Sequence, residues 1–209
     1  DHHLCSTKKS LKNLHSILID KKKITHVGSL SVEKIQKKLK KNKKKNFCIL
    51  SIHPEKKNQK LINFTKKIFN IILIKTNLKI IVTGTNIDFG SDNLREIFFK
   101  QKRIYNNRIE YYENLGTKKY LNLLSQSQFL IGNSSSGIIE SPSLKTPFIN
   151  IGERQMGRET AKSTTNVGFS SKKTISAINN IGLIKYSYFK NPYFKKNTLK
   201  NIEKLLSRL

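Results

Sequence analysis

Phe129-Leu130-Ile131-Gly132-Asn133-Ser134-Ser135-Ser136-Gly137 is the stretch that decides the reading. An apolar run ending on a glycine, followed by small polar residues and a second glycine, describes a buried strand that passes into a helix. The loop amides of such a unit lie at a helix N-terminus, where free N–H groups and the helix dipole favour an anion. Gly132 and Gly137 permit close backbone approach, and Ser134, Ser135 and Ser136 add hydroxyl donors. A diphosphate fits these features. The simpler alternative is a single serine capping the helix, a task that does not need three hydroxyls.

Working outward, strands and helices alternate. Phe47 to Ile52 reads as a strand ending at His53-Pro54, and 58–76 as a helix with Leu61, Ile68, Phe69 and Ile72 at helical spacings. A strand from Leu78 to Val82 runs into Thr83-Gly84-Thr85-Asn86, and a helix follows from Asp92 to Gln101. Ile109 to Tyr112 reads as a strand, Lys118 to Leu124 as a helix, and Phe148 to Ile151 as the strand after the serine run, whose own helix should start near Gly137. Leu4 to Thr7 and Ile24 to Gly28 are candidate strands around a helix of residues 8–18. The Lys-rich stretch after them reads as a boundary. A turn at Asn191-Pro192 precedes a last helix, Thr198 to Leu206. The alternation predicts an α/β fold, a Rossmann-like parallel sheet with helices on both faces.

In such a sheet, ligands bind outside the carboxyl ends of the strands. Four polar groups fall there: His53, Asn86, the serine run and Arg154. His53 at its strand tip is placed to contact phosphate or to transfer a proton; the plainer reading is a surface-loop histidine. Glu140, three residues past Gly137, falls on the first turn of the expected helix. It suits two ribose hydroxyls, or equally a complement to the helix dipole.

The net charge of +28 invites a nucleic-acid reading. Against it, only six of the 41 basic residues are arginine, the side chain that reads bases and clamps phosphates. The rest are lysines scattered among Asn and Ile, as an AT-rich genome writes on any solvated surface. The densest run, Lys37 to Lys45, suits weak polyanion binding, and a hinge or an exposed helix end explains it as well. Cys48 lies in an apolar run and reads as a buried thiol, and Cys5 and Cys48 make no disulfide framework or zinc site. His2, His3, His15 and His26 have no metal-ligating spacing, so no metal and no cofactor is expected. There is no Gly-x-Gly-x-x-Gly, Walker loop or Gly-x-Ser-x-Gly. No stretch of about 18 uncharged apolar residues occurs, and the start, Asp1-His2-His3, lacks an initiating Met and a signal-peptide pattern. The expectation is a soluble, cytoplasmic fragment with no membrane or nucleic-acid partner.

Ile131 to Glu140, followed by Thr146-Pro147-Phe148-Ile149-Asn150-Ile151-Gly152-Glu153-Arg154-Gln155-Met156-Gly157-Arg158-Glu159, resembles the signature of the hydrolysing UDP-N-acetylglucosamine 2-epimerases. Ile52-His53-Pro54 and Thr85 to Ser91 agree in order, and His3 to Gly28 resembles the end of that family's N-terminal domain. The resemblance implies the C-terminal half of a GT-B fold. Residues 1–45 would be the end of the N-terminal domain and hinge, 46–190 the UDP-binding domain and 191–209 the C-terminal helix. It also implies elimination of UDP from the sugar to a glycal, then addition of water to give N-acetylmannosamine and free UDP. Ser134 and Ser135 would hold the diphosphate, Glu140 the ribose, and Asn86 and Arg154 would line the UDP site. Backbone near Leu115 would meet the uracil, and His53 would assist departure of UDP. The partners implied are the UDP-sugar and the missing N-terminal domain, which carries most of the family's acid/base carboxylates; the parent is a candidate homo-oligomer, and the fragment alone should be inactive. One departure is Asn191-Pro192-Tyr193-Phe194-Lys195-Lys196, where the family often has Gly-Asp-Gly after Asn-Pro-Tyr. The competing readings are a close variant acting on UDP-N,N'-diacetylbacillosamine for legionaminic acid, a GT-B glycosyltransferase and a basic nucleic-acid-binding module.

Overall fold

The computed structural model describes residues 2–17, 20–38, 43–55 and 58–207. Its main sheet has six parallel strands: β3 (Phe47–Ser51), β4 (Lys79–Thr83), β5 (Ile109–Tyr112), β6 (Leu130–Gly132), β7 (Phe148–Ile151) and β8 (Thr164–Gly168), in the order β5-β4-β3-β6-β7-β8. Ahead of it, β1 (His3–Cys5) and β2 (Ile24–His26) form a separate parallel pair joined through helix α1 (Lys8–Ile17).

Alternation along the inner strands explains why the sheet is covered on both sides. Cys48, Leu50, Ile80, Val82, Ile131, Ile149 and Ile151 join one core cluster with residues of α3 (Asn58–Lys75), α4 (Ser91–Ile104) and α7 (Ser171–Asn179). The intervening Phe47, Ile49, Ile81, Leu130 and Phe148 join the other, with α2 (Leu30–Lys38), α5 (Gly116–Gln126) and α6 (Ser136–Ile139). Successive strand side chains point to opposite faces, so a strand covered on both sides must be apolar throughout. Cys48 is fully buried, which lifts its thiol to about 12.

The chain runs outward from β3 to β5 on one side, then returns to β6 beside β3 and runs outward to β8 on the other. The order reverses between β3 and β6. The carboxyl ends of those two strands mark the switch point at which sheets of this kind bind ligands.

Three expectations need correction. The helix of the serine run spans only Ser136–Ile139, so its dipole is small. Ser141 stands before Pro142, where helical backbone is disfavoured, and Ser141 Oγ turns back to donate to the Gly137 carbonyl at 2.6 Å. Glu140 is consequently the C-terminal cap of that turn and not a first-turn residue. The Lys37 to Lys45 run starts on the end of a helix, α2, in line with one of the alternatives the sequence left open, and its residues 39–42 lie outside the described residues. Finally, β8 and α7 were not anticipated. The last helix, α8 (Thr198–Leu206), stands as expected and is tied to α2, the Leu199 N–H donating to the buried Glu33 carboxylate at 2.9 Å. Among the described residues, no helix is long and apolar enough to cross a membrane.

Candidate functional site

At the switch point, one buried side chain organises the surroundings. Asn133 follows β6, and its amide grips the backbone of His53 twice. The His53 N–H donates to Asn133 Oδ1 at 2.7 Å, and Asn133 Nδ2 donates to the His53 carbonyl at 2.8 Å. The Asn133 carbonyl accepts from Gln155 Nε2 at 2.8 Å and Arg154 Nη1 at 3.3 Å. Asn133 therefore locks together the loops that follow β3, β6 and β7. Gly132 makes the approach possible: its φ is +143°, and a Cβ there would sit 1.8 Å from the Ser51 carbonyl oxygen.

His53 is half-buried, and its Nδ1 accepts from the Asn86 N–H at 3.2 Å. A backbone N–H can only donate, so Nδ1 is unprotonated and the neutral ring carries its hydrogen on Nε2. Burial first, then the nearby Arg154 cation, hold His53 well below its usual range, at about 4, against a smaller opposing pull from Asp88. His53 is therefore a neutral Nε2–H donor at pH 7, unlike a freely titrating surface histidine.

This shift has a measurable consequence. The unfolded chain binds more protons at His53 than the folded one between pH 6.5 and about 4. The histidine contribution is thus intact above pH 6.5 and is lost as pH falls through that window, up to about 3 kcal/mol at 1.36 kcal/mol per unit. Glu55 and Glu140, both raised by burial, pull stability the other way. Comparing urea-unfolding free energies of the unaltered chain and His53→Gln from pH 7 to 4 isolates the histidine. The variant should lose less stability on acidification; parallel curves would refute the assignment.

The other expected residues divide into two groups. Asn86 is exposed after β4, Ser134 is buried and Ser135 half-buried after β6, and Arg154 is half-buried after β7. With His53, after β3, they lie on the loops at the carboxyl end of the sheet. Ser134 Oγ lies 3.1 Å from Ser136 Oγ, and Ser135 is the N-cap residue of α6 without a side-chain capping bond, so the simple capping alternative for it fails. Leu115, half-buried, is the N-cap residue of α5 beyond β5. Glu140 faces the N-terminal part of the chain, its Oε1 accepting from the α2 hydroxyl Ser31 Oγ at 2.9 Å. Burial raises its pKa, opposed by the Ser31 bond and the charge of Arg158. At a helix C-terminus a carboxylate opposes the dipole, so complementing the dipole does not explain Glu140. The surface hollows bounded by α3 and α4, and by the 87–95 segment, include none of these residues.

A model of the UDP-N-acetylglucosamine 2-epimerase family matches residues 1–207. The chain belongs to this family. Among curated relatives, it is 30% identical over 223 residues to the polysialic acid biosynthesis protein P7 of Escherichia coli, covering 98% of this chain and 56% of that protein. It is 36% identical over 138 residues to the GDP/UDP-N,N'-diacetylbacillosamine 2-epimerase (hydrolyzing) of Campylobacter jejuni, covering 65% of this chain and 35% of the relative. The Methanocaldococcus jannaschii UDP-GlcNAc 2-epimerase, solved with UDP-GlcNAc and UDP, superposes with a TM-score of 0.77 over 100% of this chain and 61% of its own, at 21% identity. The chain is thus a C-terminal portion of an epimerase-family protein, and its sheet is the C-terminal Rossmann-like half of the GT-B fold.

Sequence reasoning missed several residues of this epimerase half. Asn133 and Gln155 act through backbone bonds to distant positions. Glu55 accepts from the Glu153 N–H at 3.3 Å and so supports the turn carrying Arg154. Tyr120 on α5 touches Ser136. Asn191, in the segment that departs from the family pattern, donates to the Ile139 carbonyl and to Ser143 Oγ, both at 2.8 Å. The polar character of Asn133 just after an apolar strand was the one available signal.

Proposed function

We propose that this chain supplies the UDP-binding half of a hydrolysing UDP-sugar 2-epimerase, with UDP-N-acetylglucosamine as substrate and N-acetylmannosamine and UDP as products. The carrying observation is the joining of His53, Asn86, Ser134 and Arg154 around Asn133 at the switch point of the sheet. An anion there would meet the Ser134 and Ser135 hydroxyls, the Arg154 guanidinium and a neutral histidine donor. Ribose would meet Glu140, and uracil the backbone at Leu115. Leaving the C1–O bond, UDP gains negative charge on its diphosphate, where hydrogen-bond donors stabilise it most.

The chain spans 56% of the Escherichia coli relative, and its own β1–β2 pair is a two-stranded sheet, a unit that needs further strands or helices for stability. Residues up to about 45 are accordingly read as the end of an N-terminal domain and hinge, 46–190 as the nucleotide domain and 191–209 as a closing segment. The facing domain would complete the cleft and bring the acid/base carboxylates. The 36% identity to a diacetylbacillosamine epimerase supports a second substrate reading, UDP-N,N'-diacetylbacillosamine. Either product suits the synthesis of a sialic-acid-type sugar in the cytoplasm.

Ser134→Ala and Ser135→Ala test the phosphate assignment. Each should weaken UDP binding by about 1.5–3 kcal/mol, the range for a hydrogen bond to a charged group. Calorimetry giving unchanged UDP affinity in both variants would remove the basis of the reading.

A further inference from the structure

Beside the serine run lies a line of three hydroxyls. The Tyr120 phenol, reaching from α5, is 2.5 Å from Ser136 Oγ, which is 3.1 Å from Ser134 Oγ. The Ser136 backbone N–H also points to Ser134 Oγ, at 3.4 Å. The ring of Tyr120 packs against the core cluster that contains Leu124 and Ile138. Burial is the main cause lifting its phenol to about 12, so it holds its hydrogen at any physiological pH.

Each hydroxyl has one hydrogen to give and two lone pairs to receive. If Ser134 donated to Ser136, that hydrogen would be spent inside the protein and Ser134 would offer an anion only lone pairs. The opposite direction avoids this. Tyr120 donates to Ser136, Ser136 donates to Ser134, and Ser134 accepts while keeping its own hydrogen. The backbone N–H aimed at Ser134 Oγ takes one of its two lone pairs and leaves the other for Ser136, so this direction accommodates both contacts. Among the described residues Ser136 Oγ is the hydrogen-bond partner of the Tyr120 phenol, so that is where its hydrogen goes.

We propose that Tyr120 is a positioning residue for the nucleotide diphosphate: through Ser136 it fixes the direction of the hydroxyl line, so that the hydrogen of Ser134 is left for the phosphate. The proposal rests on the phosphate-binding reading of Ser134 given above. It adds a residue that never touches the ligand, on the helix that begins at the expected uracil contact.

The relay makes an unusual prediction about pairs of substitutions. In Tyr120→Phe, Ser136 has lost its donor and can take the hydrogen of Ser134. UDP affinity should fall about three- to tenfold, the worth of one ordinary hydrogen bond. Adding Ser136→Ala removes the competing acceptor and returns the Ser134 hydrogen, so the double variant should bind UDP more tightly than Tyr120→Phe alone. Uridine, which has no phosphate, should bind all these proteins alike.

Titration of the 209-residue chain with UDP and uridine, followed by NMR chemical shifts, reads both affinities, and thermal melting checks that each variant is folded. Loss of UDP affinity in Tyr120→Phe, recovery in the double variant and constant uridine binding support the relay. Unchanged UDP affinity in Tyr120→Phe, equal losses for UDP and uridine, or a double variant weaker than the single one would each overturn it. If the unaltered chain binds no UDP, the phosphate reading itself fails and the relay falls with it. A melting point lowered in Tyr120→Phe is handled by the uridine comparison, since general damage weakens both ligands.

Discussion

On the proposed function, replacing His53 with alanine in a protein that carries this half together with its facing domain should lower kcat by about 10²–10⁴-fold, the usual contribution of a positioned proton donor or acceptor, while weakening UDP binding much less. The Asn86 N–H fixes Nδ1 as an acceptor, and burial with Arg154 keeps the ring neutral. The free protein thus presents an Nε2–H that needs no reorganisation before the reaction. A neutral donor interacts modestly with a bound diphosphate. It interacts more strongly as the C1–O bond breaks and charge accumulates on the departing oxygen. Interactions that strengthen only on the way to the transition state appear in kcat, whereas uniform ones appear in KM. A bound diphosphate also raises the histidine pKa by its own charge, which brings proton transfer to the leaving group within reach. Glu140→Ala should show the reverse pattern, because ribose contacts are the same before and during bond cleavage. Steady-state kinetics paired with UDP calorimetry on both variants decides the matter. If His53→Ala loses affinity and keeps kcat, the ring is a phosphate ligand and has no part in the chemistry.

What the sequence made legible follows from burial on two faces. Phe47 to Ser51 and Phe148 to Ile151 are apolar at nearly every position because both sides of the central strands are covered, and such runs stand out against a lysine-rich background. β8 does not. At the sheet edge, Thr164-Thr165-Asn166-Val167-Gly168 buries Val167 while its neighbours stay partly or fully accessible, and a polar edge strand has the composition of a loop. α2 was hidden differently. Val32 and Ile35 are one helical step apart and both buried, but they sit between lysines and serines in a window too short for the period to emerge. The helix after the serine run starts close to where the sequence places it, but Pro142 limits it to one turn, so that Glu140 caps it.

The site divides along similar lines. His53, Ser134 and Arg154 were legible as polar residues immediately beyond apolar strands, which is where a parallel sheet collects its ligand groups. Tyr120, Gln155 and Glu55 were not, because their contributions pass through contacts with parts of the chain that are remote in sequence or hidden in loop geometry. Nothing local distinguishes a tyrosine on the surface of a helix from one whose phenol meets the serine run. The protonation state of His53 belongs to the same class. It depends first on burial by the assembled loops and then on an arginine from another strand end, and the tautomer depends on a backbone amide 33 residues away.

Asn133 is the strongest case of such remote coupling, and removing its side chain should be costly. Asn133→Ala is expected to destabilise the folded chain by roughly 2–4 kcal/mol, since it strips partners from both the N–H and the carbonyl of His53, each worth about 1–3 kcal/mol when left unpaired in a buried place. The bonds concerned are short, 2.7 and 2.8 Å, span 80 residues, and converge on a side chain with no accessible surface. Asn133→Asp separates the two halves of the clamp. It keeps an acceptor for the His53 N–H, but it sets a carboxylate against the His53 carbonyl where a donor used to be. Its charge also lies near the ring, so the pKa of His53 should rise from about 4 towards the ordinary histidine range. Urea unfolding measures the first effect, and NMR titration of the His53 ring the second. The two readouts separate general loosening from loss of the clamp. Loosening alone hydrates the ring in both variants, whereas the added charge acts only in the aspartate. A loss below about 0.5 kcal/mol in Asn133→Ala, the range of ordinary surface substitutions, would mean that the loops after β3 and β6 hold their places without the clamp and that Asn133 does not organise the site.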